Sequence, residues 1–131
     1  MKYLLDTMVW LWSVGPTERI GKDGLEILAN GKEEIYLSAA SSWEIAIKAK
    51  LGKFRLPEAP GPYVRNRTTA QRILPLAISQ NHSLAVYDLP LHHSDPFDRL
   101  IIAQALDEGM TILTSDRMFK HYEVNLVWCG K

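Results

Sequence analysis

The chain has 131 residues, 47% of them hydrophobic and 23% charged, with 15 Lys and Arg against 15 Asp and Glu. That length suits one domain, residues 1–131, with a proper apolar core. The charge balance excludes an overall basic field aimed at a polyanion, though not a local patch. A single cysteine, Cys129, excludes an internal disulfide and a cysteine-rich zinc site, as expected of a protein in a reducing cytoplasm. The start, "MKYLLDTMVWLW", has one Lys and is interrupted by Asp6, which makes a poor signal peptide. No apolar run approaches the roughly 18 residues of a membrane span, so no membrane partner is expected.

In chain order, "KYLLD" is a short strand ending in Asp, and "TMVWLWSV" continues as a helix stopped by Gly15-Pro16. "DGLEILANG" predicts an amphipathic helix with Leu25, Leu28 and Ala29 on one face. "EIYLS" is a strand whose Ser38 caps the next helix, "AASSWEIAIKAKLGK", where Trp43, Ile47 and Leu51 recur at spacing four. "FRLPEAPGPYVRNR" is a loop leading into a helix near 61–72. "RILPLAI" is a strand with a proline inside, which favours a sheet edge. "SQNHSLAVYDLP" is a short helix, and "DPFDRLIIAQALDEG" a longer one with Asp95 as cap and Pro96 at the first position. "MTILTSD", "RMFKHY" and "VNLVW" close the chain as strand, short helix and strand. Strands alternating with helices imply an α/β fold around a parallel sheet.

Asp6 and Asp116 each stand where a strand hands over to a helix. In a parallel sheet those junctions share one edge, the edge where ligands bind. Glu44 and Asp98, near the starts of their helices, can point to the same cleft. Singly, each acid has a plain reading as a helix cap, a first-turn acid or, for Glu44, a partner of Lys48 at spacing four. Together they would repel one another unless a cation sat among them. Oxygen ligands alone favour Mg²⁺ or Mn²⁺ over zinc and suit phosphodiester hydrolysis. His92 and His93 are adjacent, so both cannot face one point, and neither is expected as a ligand. His82 and His121 read as surface or helix-end residues. Trp10, Trp12, Trp43 and Trp128 lie among aliphatics, in packing or at an interface. Lys48, Lys50, Lys53, Arg99 and Arg117 are the basic residues near this cleft, candidates to hold a phosphate-bearing substrate.

"LLDTMVWLW", "LSAASSWEIAIKAKLGKF", "LPLHHSDPFDRLIIAQA" and "TILTSDRMF", in that order, resemble the PIN domain, most of all the VapC-type toxins of bacterial toxin–antitoxin pairs. The resemblance runs from about Lys2 to Trp128. It implies a three-layer α/β/α fold with about four to five short parallel strands. It also implies an endoribonuclease dependent on Mg²⁺ or Mn²⁺, with the acidic quartet at Asp6, Glu44, Asp98 and Asp116. Asp98 rather than Asp95 takes the family position, and Thr7 and Ser115 resemble the hydroxyls that support the metal. Met8 stands where relatives often have histidine. Asp6 and Asp98 are the expected direct ligands, with Glu44 and Asp116 acting through water or as a base. A homodimer and a small antitoxin that puts a basic side chain among the carboxylates are implied as well. Two other readings stay open at this point. A phospho-receiver would need an acidic pair after the first strand and a late lysine, and a non-catalytic protein-binding module would use every acid as a cap.

Overall fold

The computed structural model describes every residue from Met1 to Lys131. Five strands, β1 (Lys2–Leu5), β2 (Glu34–Ser38), β3 (Leu74–Leu76), β4 (Thr111–Thr114) and β5 (Leu126–Trp128), form one sheet in the order β3-β2-β1-β4-β5. Every pairing is parallel. Six α-helices connect them: α1 (Thr7–Ser13), α2 (Lys22–Ala29), α3 (Ala39–Lys50), α4 (Pro60–Gln71), α5 (Gln80–Ala85) and α6 (Pro96–Glu108). Short 3₁₀ turns occupy Thr17–Arg19, Val86–Asp88 and Arg117–His121. No helix is long and apolar enough to cross a membrane.

Alternation along the central strands divides the core in two. Tyr3, Leu5 and Leu113 face a cluster that holds Val9 and Trp10 of α1, Ile45 of α3 and Tyr63 of α4. Leu4 and Ile112 face the other, with Ile101, Ile102 and Ala105 of α6 and Phe119. Helices thus cover both faces, giving the expected three layers. Pro75 sits in β3, an edge strand, where its missing N–H costs no ladder bond on the open side.

The chain runs outward from β1 through β2 to β3, then returns across the sheet to place β4 on the other flank of β1. This reversal makes the crevice beyond the ends of β1 and β4 the natural ligand position. Ser38, at the end of β2, caps α3 by accepting from Ala40 N–H. Its hydroxyl also donates to Gln104 Oε1 of α6, and the Gln104 amide donates to Ala77 O. Gln104 is fully buried, so this bond ties the cap of α3 to the helix that carries Asp98. Gln104→Leu should leave the Ser38 hydroxyl and the Ala77 carbonyl unmatched at a cost of about 1–3 kcal/mol. A thermal melt would then show a Tm roughly 4–12 °C lower, and an unchanged Tm would remove Gln104 from the framework.

Three local expectations are corrected. Trp43 and Leu51 do not face inward: they are 57% and 64% exposed, and α3 buries Ala40, Ser41, Glu44 and Ile45 instead. The inward stripe of α3 is shared between apolar residues and a carboxylate, so spacing four among the apolar residues traced the wrong face. On α2, Leu25 is exposed and Gly24 is the buried residue. A Cβ on Gly24 would come within 2.6 Å of the side chain of Cys129, just past β5, and would force that neighbour to shift. His82 is buried: its Nδ1 accepts from Ser79 N–H while Ser79 Oγ accepts from His82 N–H, a reciprocal capping box at the start of α5. Its Nε2 reaches Glu108 at 2.9 Å.

Candidate active site

Asp6 occupies the N-cap position of α1, yet its side chain makes no capping hydrogen bond. Its Oδ2 accepts instead from Thr114 Oγ1 of the neighbouring strand at 2.8 Å, and Thr114 Oγ1 in turn accepts from Asp116 N–H. One hydroxyl therefore joins the acids that end β1 and β4. The parallel register of Leu5 with Leu113 makes that reach possible. Asp116 does cap the turn after β4, accepting from Met118 N–H on Oδ1, and still offers Oδ2 to the cleft. Asp95 caps α6 through Phe97 and Asp98 N–H, which leaves the Asp98 side chain out of the cap. Glu44 projects from the second turn of α3, and Thr7 steadies that helix by donating to Ser41 Oγ at 2.8 Å.

The electrostatics match this crowding. Burial pushes Asp98 up from 3.8 to about 9, with the charges of Asp6, Asp95, Glu44 and Asp116 adding to the shift. Asp6 is pushed up to about 6, again chiefly by burial; the Thr114 hydrogen bond opposes the shift and Asp116 and Glu44 reinforce it. Glu44 Oε2 meets Lys48 Nζ at 2.5 Å, and its contact with Glu44 holds the Lys48 ammonium above its ordinary pKa. Glu44 Oε1 is the one buried side-chain oxygen or nitrogen with no hydrogen-bond partner. An unpartnered carboxylate oxygen among mutually repelling acids is costly in a folded protein. A divalent cation with hard oxygen ligands relieves both costs, so the residues present fit Mg²⁺ or Mn²⁺.

The charges of Asp6, Glu44 and Asp116 all act on Asp98, Lys48 pairs with Glu44, and ligand atoms of Asp98, Asp116 and His93 lie within 4.8 Å of one another. Arg117 is exposed beside Asp116, while Lys50 and Lys53 are exposed at and beyond the end of α3. Arg99 does not belong with the RNA contacts. It is 8% exposed, and its guanidinium donates to the carbonyls of Val86, Leu89 and Pro90. One residue along a helix is a turn of roughly 100°, so Arg99 faces away from the cleft that Asp98 faces. Of the hydroxyls, Thr7 reaches Ser41 rather than an acid, and the one that holds a carboxylate is Thr114, which donates to Asp6 and accepts from the Asp116 backbone N–H, rather than Ser115.

His93 stands at the site without being one of the acids. Its Nε2 lies 2.9 Å from Asp116 Oδ2 and 3.0 Å from Asp98 Oδ2. The adjacent pair does diverge as the chain geometry requires: the His92 ring packs on Tyr122 and His121 instead. No periodicity marks which of two neighbouring loop histidines turns inward, so the residues alone did not single out His93.

Carboxylates gathered at the switch point of a five-stranded parallel sheet, three of them buried, mark an α/β domain with an acidic cleft. The PIN domain model matches residues 3–125, and the chain belongs to that family. Over 57 residues it is 40% identical to Ribonuclease VapC16 of Mycobacterium tuberculosis, a match spanning 44% of this chain and 40% of that protein. VapBC2 from Rickettsia felis, solved bound to a DNA fragment from its promoter, is similar in fold with a TM-score of 0.72 at 19% identity, covering 97% of this chain and 98% of that one. A toxin–antitoxin complex from Klebsiella pneumoniae gives 0.64 at 16% identity, over 95% of each chain. The family assignment displaces the phospho-receiver reading.

Proposed function

We propose that the protein is an endoribonuclease dependent on Mg²⁺ or Mn²⁺ and the toxin of a cytoplasmic toxin–antitoxin pair. The observation that carries the metal is Glu44 Oε1, buried without a partner among four carboxylates. The similarity to a ribonuclease supports the substrate, and the fold shared with a toxin–antitoxin complex supports the partner. Asp6, Glu44, Asp98 and Asp116 would hold the cation. When bound, it lends Lewis acidity to the scissile phosphate and acidifies water. The chain's own residues do the rest. Thr114 fixes the Asp6 carboxylate, leaving Asp6 Oδ1 for the site. Lys48 offsets one acid of the four, which lowers the repulsion an RNA phosphate meets on approach. Lys50, Lys53 and Arg117 would contact phosphates from the rim. An antitoxin that presents a basic side chain to this cleft would satisfy the same unpaired acids, and a second copy of the chain would complete a homodimer.

Purified protein is expected to cut a panel of single-stranded and tRNA-like RNAs with Mg²⁺ or Mn²⁺ and not in EDTA. Glu44→Gln should lower the rate by roughly 100-fold or more, as loss of a cation-holding group does. EDTA-resistant cleavage, equal in both proteins, would contradict the reading. So would the absence of Mn²⁺ binding in a direct titration, which would return the acids to the role of helix caps.

A further inference from the structure

We propose that His93 is a positioning residue of the metal centre, holding the Asp98 and Asp116 carboxylates together through one shared Nε2–H; the inference rests on the metal-dependent reading above. Asp98 starts α6 and Asp116 follows β4, so no common element keeps their spacing. His93 Nε2 bridges the gap at 3.0 and 2.9 Å. Its Nδ1 accepts from Asp95 N–H at 3.2 Å, which places the ring proton on Nε2. The Nε2 is therefore a donor to both acids, with no lone pair to offer a cation. This sets His93 apart from the quartet: it orients cation-holding groups rather than joining them.

The ring is itself anchored. His93 N–H donates to Tyr122 Oη at 2.8 Å, and Tyr122 Oη donates to Pro90 O at 2.9 Å. The imidazole stands edge-on to the buried Phe119 ring, with centroids 6.0 Å apart. On the far side, Asp116 Oδ1 accepts from Met118 N–H, so both oxygens of that carboxylate are held and its plane is fixed. Asp98 Oδ1 stays outside the shared bond and is the oxygen left for a cation. Side chains on separate elements drift apart when nothing holds them, and a histidine donor that keeps two of them in place removes that cost before the cation arrives. Partners of this kind, one bond removed from the ion, typically change metal affinity by ~10–100-fold.

The test is Mn²⁺ binding to the full chain, followed by electron paramagnetic resonance of the free ion, with the metal-free Tm measured beside it. Wild type should bind, His93→Ala should bind ~10–100-fold more weakly, and His93→Gln, whose amide N–H can reach the same oxygens, should return to within about threefold of wild type. Wild-type or tighter affinity in His93→Ala would overturn the proposal, since His93 would then only occupy space the cation needs. Equal weakness in both variants would overturn it as well, because donation to the acids would not be what His93 supplies. Should His93→Ala fail to fold, His93→Gln decides alone, and a loss beyond about tenfold sinks the idea. Wild type binding no Mn²⁺ would remove the metal centre itself and this inference with it, a result distinct from the others.

Discussion

Replacing Asp98 by Asn is expected to lower RNA cleavage steeply while making the metal-free protein more stable at neutral and alkaline pH. The two effects have one cause. Burial first, then the charges of Asp6, Asp95, Glu44 and Asp116, raise the Asp98 carboxyl to about 9. A carboxyl whose folded value lies above its unfolded value contributes stability that is fully present below the unfolded value, near 4. That stability is lost as pH rises through the folded value. Asp6, raised to about 6, acts in the same direction over a narrower window. Metal-free wild type should therefore lose Tm steadily between pH 4 and 9. Asn is neutral throughout, so Asp98→Asn should flatten most of that slope and leave only the Asp6 share. At pH 8 the difference should reach at least about 1–2 kcal/mol, or roughly 4–8 °C in Tm. Saturating Mg²⁺ should flatten the wild-type slope too, because the cation offsets the same repulsion. Cleavage should fall roughly 100-fold or more. Calorimetry in EDTA across that pH range, with RNA cleavage assayed in parallel, checks both halves. A variant less stable than wild type at pH 8 would contradict the account.

Arg99→Ala should be strongly destabilising. The guanidinium places Nη1 2.9 Å from Pro90 O and Nη2 3.0 Å from Val86 O, with Leu89 O at 3.3 Å. It thereby fixes the loop between α5 and α6, the segment that contains His93. Removing it leaves buried carbonyls unmatched and a void at the base of the loop. The expected cost is about 3 kcal/mol or more, seen as a Tm fall of roughly 10 °C or more. Lysine should recover little, since an ammonium on a flexible stem cannot fork between carbonyls. Urea unfolding of both variants measures this. Retained stability with weakened RNA binding would instead restore Arg99 to the substrate.

What the residues disclosed followed from how local each signal is. Helix α6 was legible to its ends, because Asp95, Pro96 and the left-handed Gly109 are start and stop signals that act within a turn. The strand-end acids were legible because their position relative to a parallel sheet follows from topology. The face of α3 was not, since Glu44 takes an inward position that composition would give to an apolar residue. Nor was Arg99, whose neighbour in sequence lies in the site while its own side chain serves a loop. His93 and Thr114 depend on distances between segments far apart in the chain, and nothing in either residue's own neighbourhood carries that distance.

The bond between Thr114 and Asp6 spans 108 positions. The first strand made is the middle strand of the sheet, and one of its flanks waits for β4. A nascent chain emerging from the ribosome carries Asp6 and Glu44 long before Asp98 and Asp116 can join them. Non-local closure of this kind comes late in folding. The quartet therefore forms only once translation has passed Asp116, so a chain still being made carries no assembled site.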